Sequence, residues 1–356
     1  MHSERLNEMD KRDIIKTLSG LHGVSGCEYR FSSVIEEMFS QYCDEVKTDN
    51  LGNVIGIMRC GKKNAPSVML EAHMDEIGMM ITAVEEGGFL RITNVGGIDA
   101  RILPGKEVII HGREDIVGIV GAKPPHITTK EMRTKAIPMD ELYIDTGYNT
   151  DELKKIVSVG DTVTFCNTYA DLGKKYISTK SQDDRTSVAV LIFVMDMLKK
   201  EKLNFDVCFC ACVQEEVGRR GALTAATLLD PVFAVAIDVC HATTPDASKD
   251  TVKAGSGTVV TMGPNIHPML FKHAIKILDE REIPYTTDVE SDDTGTDAWA
   301  IQTAKEGIPT LLFSLPLKYM HTMVETVNMD DVEATADALL SLVKYTEDAE
   351  AAVCYK

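Results

Sequence analysis

Histidines and carboxylates stand where several apolar runs of this sequence end. His73 and Asp75 follow "VMLEA", and Glu215 and Glu216 follow "CFCACVQ". Asp238 follows "VFAVAI", and His321 follows "TLLFSLPLKYM". A further acidic pair, Asp183 and Asp184, opens the stretch "QDDRTSVAV". One polar residue often ends a strand, but solvation alone explains the whole set poorly. Imidazole mixed with carboxylate is the donor set of borderline divalent cations such as zinc. Two histidines with three or more carboxylates could hold two ions. One shared carboxylate would place these roughly 3.5–4 Å apart, the spacing of two-metal hydrolases. Glu215 and Glu216 also admit another chemistry, since glycosidases use two carboxyl groups about 5–9.5 Å apart. That reading leaves the histidines without a task.

Ligands of α/β sheets gather beyond the carboxyl ends of strands, so these residues call for buried strands joined by helices. "NVIGIM", "SVMLEA", "FDVCFCACV", "VFAVAID" and "PTLLFSL" read as strands. "FSSVIEEMF" and "TSVAVLIFVMDMLKK" repeat apolar residues at helical spacing. Helices are also predicted near Pro268–Arg281 and Asp297–Glu306, and in the tail, with Asn328 as its N-cap. From about Glu76 to Ala170, short β-rich runs alternate with glycine turns, apart from a helical turn near Asp151–Ile156. Such spacing predicts a small barrel or sandwich inserted into the α/β domain.

The 356 residues suit two domains, and 44% are apolar, enough for a sizeable core. No apolar run approaches the roughly 18 residues of a membrane span. The start, "MHSERLNEMDKRD", has no apolar signal-peptide core. A formal charge of −18 repels nucleic acid and anionic membranes, so neither is expected as a partner. Nine cysteines include Cys208, Cys210 and Cys212 alternating along one strand, and no C-x-x-C pair occurs. They read as reduced structural thiols, which points to a cytoplasmic location.

In this order the motifs resemble the M42 family of co-catalytic metallo-aminopeptidases. These are cytosolic enzymes of the tetrahedral type, some formerly labelled glucanases. The resemblance covers nearly the whole chain. It is carried by "AHMDEIGMMI", "GGIDARILPGKEVIIHG", "GAKPPHIT", "QDDRTSVAV", "VQEEVGRRGA", "AIDVCHATTPD", "GTDAWAIQTAKEGIPT" and "SLPLKYMHTMVETV". It implies a three-layer α/β/α metallopeptidase sandwich with an inserted small β-barrel domain. Residues 1–75 and 171–356 would form the catalytic domain, and 76–170 the insert. The insert would build dimers that assemble into a hollow tetrahedral dodecamer. The implied activity is removal of N-terminal residues from peptides with two divalent ions, zinc or cobalt, with manganese also suited. His73, Asp183 and Asp238 match the ligands of one ion. Asp183, Glu216 and His321 match those of the other, with Asp183 bridging. Asp75 matches a carboxylate that buttresses His73, and Glu215 matches the general base. A cis peptide is implied at Asp183–Asp184.

The sequence departs from the family pattern at Ser181-Gln182, Lys318 and Trp299, which bears on substrate preference rather than on the ligands. Lys318 and Trp299 are candidates for the pocket wall. His126 reads as a packing or interface residue and His241 as part of a loop. His22, His111, His267 and His273 read as solvated or core residues. Asp297 reads as the cap of the next helix, and Asp184 with Arg185 as shaping the turn after Asp183. A related amidase, deacylase or carboxypeptidase would use the same metal core, whereas a non-catalytic binding protein would have lost ligands, and all five are present.

Overall fold

The computed structural model describes residues 10–129, 135–247 and 251–355. Its strands, in chain order, are β1 (Glu45–Thr48), β2 (Val54–Met58), β3 (Ser67–His73), β4 (Gly78–Val84), β5 (Phe89–Val95), β6 (Glu107–His111), β7 (Asp115–Val120), β8 (Tyr143–Asp145) and β9 (Thr162–Phe165). They continue as β10 (Ala170–Leu172), β11 (Tyr176–Thr179), β12 (Asp206–Cys212), β13 (Phe233–His241), β14 (Thr258–Met262), β15 (Tyr285–Val289), β16 (Thr310–Lys318) and β17 (Glu325–Asn328). The helices are α1 (Lys11–Gly20), α2 (Ser32–Phe39), α3 (Thr150–Ile156), α4 (Gln182–Leu198), α5 (Arg220–Leu229), α6 (Pro268–Glu280), α7 (Asp297–Ile301), α8 (Met329–Tyr345) and α9 (Ala349–Ala352).

Among the described residues, eleven strands form one sheet along the path β1-β2-β12-β3-β13-β16-β17-β11-β10, with β14 and β15 added beside β16. Its centre is parallel, β12 and β13 flanking β3, and β16 beside β13. Parallel strands covered on both faces need apolar side chains in both directions, and "DVCFCAC" is buried at every position. Helices α1, α4 and α8 pack together, with α4 on β3 and β13, whereas α5 and α7 pack together on β12, β3, β13 and β16. The molecule is thus a three-layer α/β/α sandwich.

The other six strands, β4-β5-β8-β7-β6-β9, close into an antiparallel barrel with its own apolar core around Met79, Val108, Ile144 and Val163. The helical turn expected near Asp151–Ile156 is α3, held by a capping box between Asn149 and Glu152. Asn328 accepts from Asp330 N–H and caps α8 as expected. The helix expected over Asp297–Glu306 stops at Ile301. The chain turns over there because Gly307 N–H bonds Ala304 O and Ile308 N–H bonds back to Gln302 O.

Register places the chemistry. The β3–β13 ladder ends at Glu71 and Ala236, while β13 stays paired with β16 up to His241. Beyond that last pair β3 and β13 part company, with His73 on one lip and Asp238 on the other.

Candidate metal centre

Asp183 lies at the middle of the constellation. It sits at the mouth of α4, where Asp183 and Asp184 keep non-helical dihedrals and are joined by the cis peptide. Its two carboxylate oxygens are divided between two histidines. Oδ1 is 3.1 Å from His73 Nε2, and Oδ2 is 3.2 Å from His321 Nε2. His321 Nε2 is also 3.3 Å from Glu216 Oε1. His73, Asp183 and Asp238 offer ligand atoms within 4.8 Å of one another, as do Asp183, Glu216 and His321. A third grouping, His73 with Glu215 and Glu216, meets the same limit. Six of the seven residues proposed from sequence therefore meet in these groupings, although they span 249 positions from His73 to His321 inclusive; the seventh, Asp75, stands behind them.

Glu215 and Glu216 separate because the chain turns sharply as β12 ends. Val213 N–H bonds Asn53 Oδ1, and Gln214, at a left-handed φ of 58°, donates its N–H to Glu28 Oε1. The next two N–H groups both go to Asp75, Glu215 to Oδ1 at 3.0 Å and Glu216 to Oδ2 at 3.2 Å. Gly218 and Arg219 then bond back to Glu215 O. Asp75 also accepts from Ser25 Oγ, while His73 Nδ1 stays 3.5 Å from Asp75 Oδ1, beyond ordinary hydrogen-bond length. The hydrogen bonds of Asp75 thus go to the Ser25 hydroxyl and to the main chain that aims the two glutamates.

The barrel contributes to the same place. His321 Nδ1 bonds the carbonyl of Gly97 at 2.9 Å, which leaves Nε2 facing the carboxylates. A Cβ on Gly97 would stand 2.8 Å from that ring nitrogen, so only glycine lets the loop approach this closely.

Four carboxyls meet in this small volume, and the electrostatics show the strain of it. Burial pushes Glu215 up to about 10, with Asp297, Asp238 and Glu216 adding to the rise. Burial likewise lifts Asp238 to about 7 and raises Glu216. Burial would lower His321, but Asp183 and Glu216 outweigh it and hold the imidazole up at about 11. Crowded buried anions need positive charge among them. The donor set, two imidazoles with three carboxylates arranged about one divided Asp183, suits two divalent cations.

These groups line a cavity of about 280 Å³. Its far wall is made by His241, Val252, Asp288, Glu290, Thr294, Gly295, Thr296 and Met320. Neither Lys nor Arg is among its described lining residues. A larger groove of about 880 Å³ lies on the barrel and includes none of the candidate ligands.

Several expectations are corrected here. Lys318 and Trp299 do not line this cavity among the described residues. Lys318 instead places its ammonium 4.8 Å over the Tyr176 ring. Asp297 caps nothing; it is the first residue of α7, buried beside Glu71, and burial together with Glu71 pushes its carboxyl well up. Arg185 closes the turn around Asp183 with its main-chain N–H, which bonds Ser181 O, but its side chain serves elsewhere. Its buried guanidinium binds the carbonyls of Leu18, Leu21, Gly23 and Met74 and stacks over Phe31, fastening the N-terminal segment to the exit of β3. Ser181 and Gln182 also turn inward, Ser181 to Glu76 and Gln182 to the carbonyls of Ile177 and Glu325. Asp184 Oδ2 accepts His73 N–H. His241 lines the cavity rim, and His126 is exposed. His111 is a buried core residue bonded to Thr164, which also contacts His22. His267 caps α6, and His273 bonds Thr346. Asp288, Glu290, Gly97 and Glu325 were missed. Only Glu325, four residues after His321, carried a local signal.

Residues 52–338 match the family pattern of the M42 glutamyl aminopeptidases. A lysyl aminopeptidase of Pyrococcus furiosus is 33% identical over 342 residues, covering 93% of this chain and 97% of that protein. The structure of an aminopeptidase from the archaeon Desulfurococcus kamchatkensis superposes with a TM-score of 0.89 at 34% identity, over 96% of this chain and 97% of that one. The TET1 peptidase of Pyrococcus horikoshii, which can assemble into a tetrahedron or a large octahedral shell, superposes with a TM-score of 0.84 at 31% identity, covering 94% and 100% of the two chains.

Proposed function

Because the chain belongs to the M42 glutamyl aminopeptidase family, we propose that it removes N-terminal residues from peptides with two divalent metal ions and Glu215 as general base. The observation that carries this reading is the division of Asp183 between two histidine-containing ligand groups, with Glu215 in the same cavity. His73, Asp183 and Asp238 would hold one ion, and Asp183, Glu216 and His321 the other. Zinc, cobalt and manganese all suit this set. Bound there, the ions would polarise the scissile carbonyl and make a water acidic enough to attack. Glu215 takes the proton of the attacking water and passes it to the departing amine. Asp75 keeps Glu215 and Glu216 on their separate headings through the main chain. The substrate's free α-ammonium suits an acidic cavity, which makes the reaction one on N-termini.

The cavity wall bears on side-chain preference. Two ions would balance Asp183, Glu215, Glu216 and Asp238, leaving Asp288 and Glu290 as surplus negative charge. We therefore expect lysyl and arginyl substrates to exceed glutamyl ones by about tenfold in kcat/KM, equivalent to roughly 1.4 kcal/mol. The decisive experiment is a panel of aminoacyl and N-blocked substrates, assayed after chelation and return of each metal. Cleavage confined to free N-termini and restored by metal is the expected result. Turnover of blocked peptides would favour an amidase or deacylase, and metal-independent attack on a glucan would favour a glycosidase.

We assign residues 1–75 and 171–356 to the catalytic domain and 76–170 to an insert for self-association. Val117 and Ile119 stand 59% and 51% exposed on the outer face of β7. Large apolar side chains displayed together suit a protein interface. Dimers built on that face, assembling to a dodecamer, should give a light-scattering mass near twelve times the 39.1 kDa chain. A monomeric mass would end this assignment. Among the described residues no helix is long and apolar enough to cross a membrane. We place the enzyme in the cytoplasm, in keeping with nine free thiols.

A further inference from the structure

Glu325 is 2% exposed and opens β17, where it pairs with Thr179 at the end of β11. That register sets its side chain against the segment leading into Asp183. Oε2 accepts Gln182 N–H at 2.7 Å and Asp183 N–H at 3.1 Å, while Oε1 accepts His321 N–H at 2.8 Å. One carboxylate therefore grips the main chain of two candidate ligands that lie 138 positions apart in sequence. Both grips fall where the backbone needs holding. Ser181 and His321 are left-handed at φ 56° and 58°, a conformation that costs a non-glycine residue of order 1–3 kcal/mol and persists only when its surroundings enforce it.

We infer that Glu325 is a positioning residue that holds Asp183 and His321 at the spacing required by the Asp183/Glu216/His321 ion. This rests on the two-metal reading above. None of Glu325's described hydrogen bonds reaches His73 or Asp238; the His73 N–H goes to Asp184 Oδ2 instead. Among the described residues, Asp238 Oδ1 takes only its neighbour's N–H at Val239. The effect should therefore fall unevenly on the two ions. Glutamine at 325 offers one acceptor and one N–H₂ group, so one of the two grips becomes donor against donor.

The test is a titration of the metal-free, folded protein with cobalt, following the visible absorption and the stoichiometry, in wild type, Glu325→Gln, Glu325→Asp and Gln182→Ala. Glu325→Gln should weaken the second cobalt by about 10–100-fold, the usual range for partners of ligands, and the first by much less, because Asp183 serves both groups whereas His321 belongs only to the second. The first absorption band should persist while the second changes. Glu325→Asp keeps the charge and one grip and should fall between. Gln182→Ala removes the side-chain bonds to the carbonyls of Ile177 and Glu325 but keeps the main-chain N–H that the carboxylate holds, and should titrate like wild type. Equal affinities for both ions in Glu325→Gln would overturn the inference, as would an even loss at both sites with a lowered Tm. Should Glu325→Gln not fold, an unaltered second cobalt in Glu325→Asp would overturn it. A wild-type protein that fails to take two ions would instead remove the metal reading itself.

Discussion

Glu215→Gln is expected to bind two metal ions as tightly as wild type and to lose about 10²–10⁴ in kcat, the range that a positioned acid–base group contributes. The substitution is nearly isosteric, and the contacts that hold this turn are made by main-chain N–H groups to Asp75, which glutamine keeps. Its side chain is buried, and its nearest charged partner is Arg219, whose Nε stands 3.7 Å away. What is lost is the ability to take up and release a proton. A carboxyl that burial pushes far above its ordinary range is a willing proton acceptor once ionised, and nearby cations would restore that ionised form. KM should change little, because the proton moves only in the chemical step. Turnover within a few-fold of wild type would remove Glu215 from the mechanism. Loss of an ion would instead place it among the ligands, in the grouping with His73 and Glu216.

The other large effect is expected at Asp183. Asp183→Asn should abolish measurable activity and weaken both ions by about 100-fold or more, exceeding the loss seen for partners of ligands. Its two oxygens serve two histidines on opposite sides, and an amide presents an N–H₂ to one of them. Asp238→Asn is the comparison, since Asp238 joins only the group with His73 and should spare one ion. Equilibrium dialysis with elemental analysis reads the difference, and thermal melting gives a second measure. A ligand at 100 times its Kd stabilises by about 2.7 kcal/mol, so the metal-dependent rise in Tm of wild type should vanish in Asp183→Asn. The metal-free melt of Asp183→Asn should itself be lower than wild type. Burial would raise the Asp183 carboxyl, but His321 and His73 outweigh it and hold it well below its usual range, and its charge stabilises both imidazoles. The comparison is therefore made on the metal-dependent rise rather than on the absolute Tm. Two ions retained at wild-type affinity would show that Asp183 does not bridge.

Much of this was legible in the sequence for a simple reason. Apolar runs ending in His73, Glu215 and His321 report strand exits, because a parallel sheet buries both faces and tends to show its polar residues where strands stop. Asp238 instead lies inside β13, three residues before its end, and meets the others because β3 has already left its side. Glycine-punctuated alternation between Glu76 and Ala170 likewise reported the barrel. The family motifs supplied the order of the candidate ligands, and these meet in one place.

What the sequence could not determine lies in contacts between distant segments. The cavity wall of Asp288 and Glu290 comes from β15 and the loop after it, and neither follows a buried apolar run. Gly97 looked like an ordinary turn glycine until the fold brought its carbonyl to His321. Asp297 looked like a cap because a glycine turn precedes it, yet the burial of α7 turned it toward Glu71. Glu325 showed only its spacing from His321, and the pairing of β17 with β11 is what set it against Asp183. Residue types and strand ends are local properties that the chain carries in its order. Which carboxylate holds which main chain is decided by strand register, and register exists only after the sheet has formed. The two neighbouring glutamates show both halves: their identity and place came from sequence, but their separate directions came from Asp75, Glu28 and Asn53 gripping the turn from three other parts of the fold.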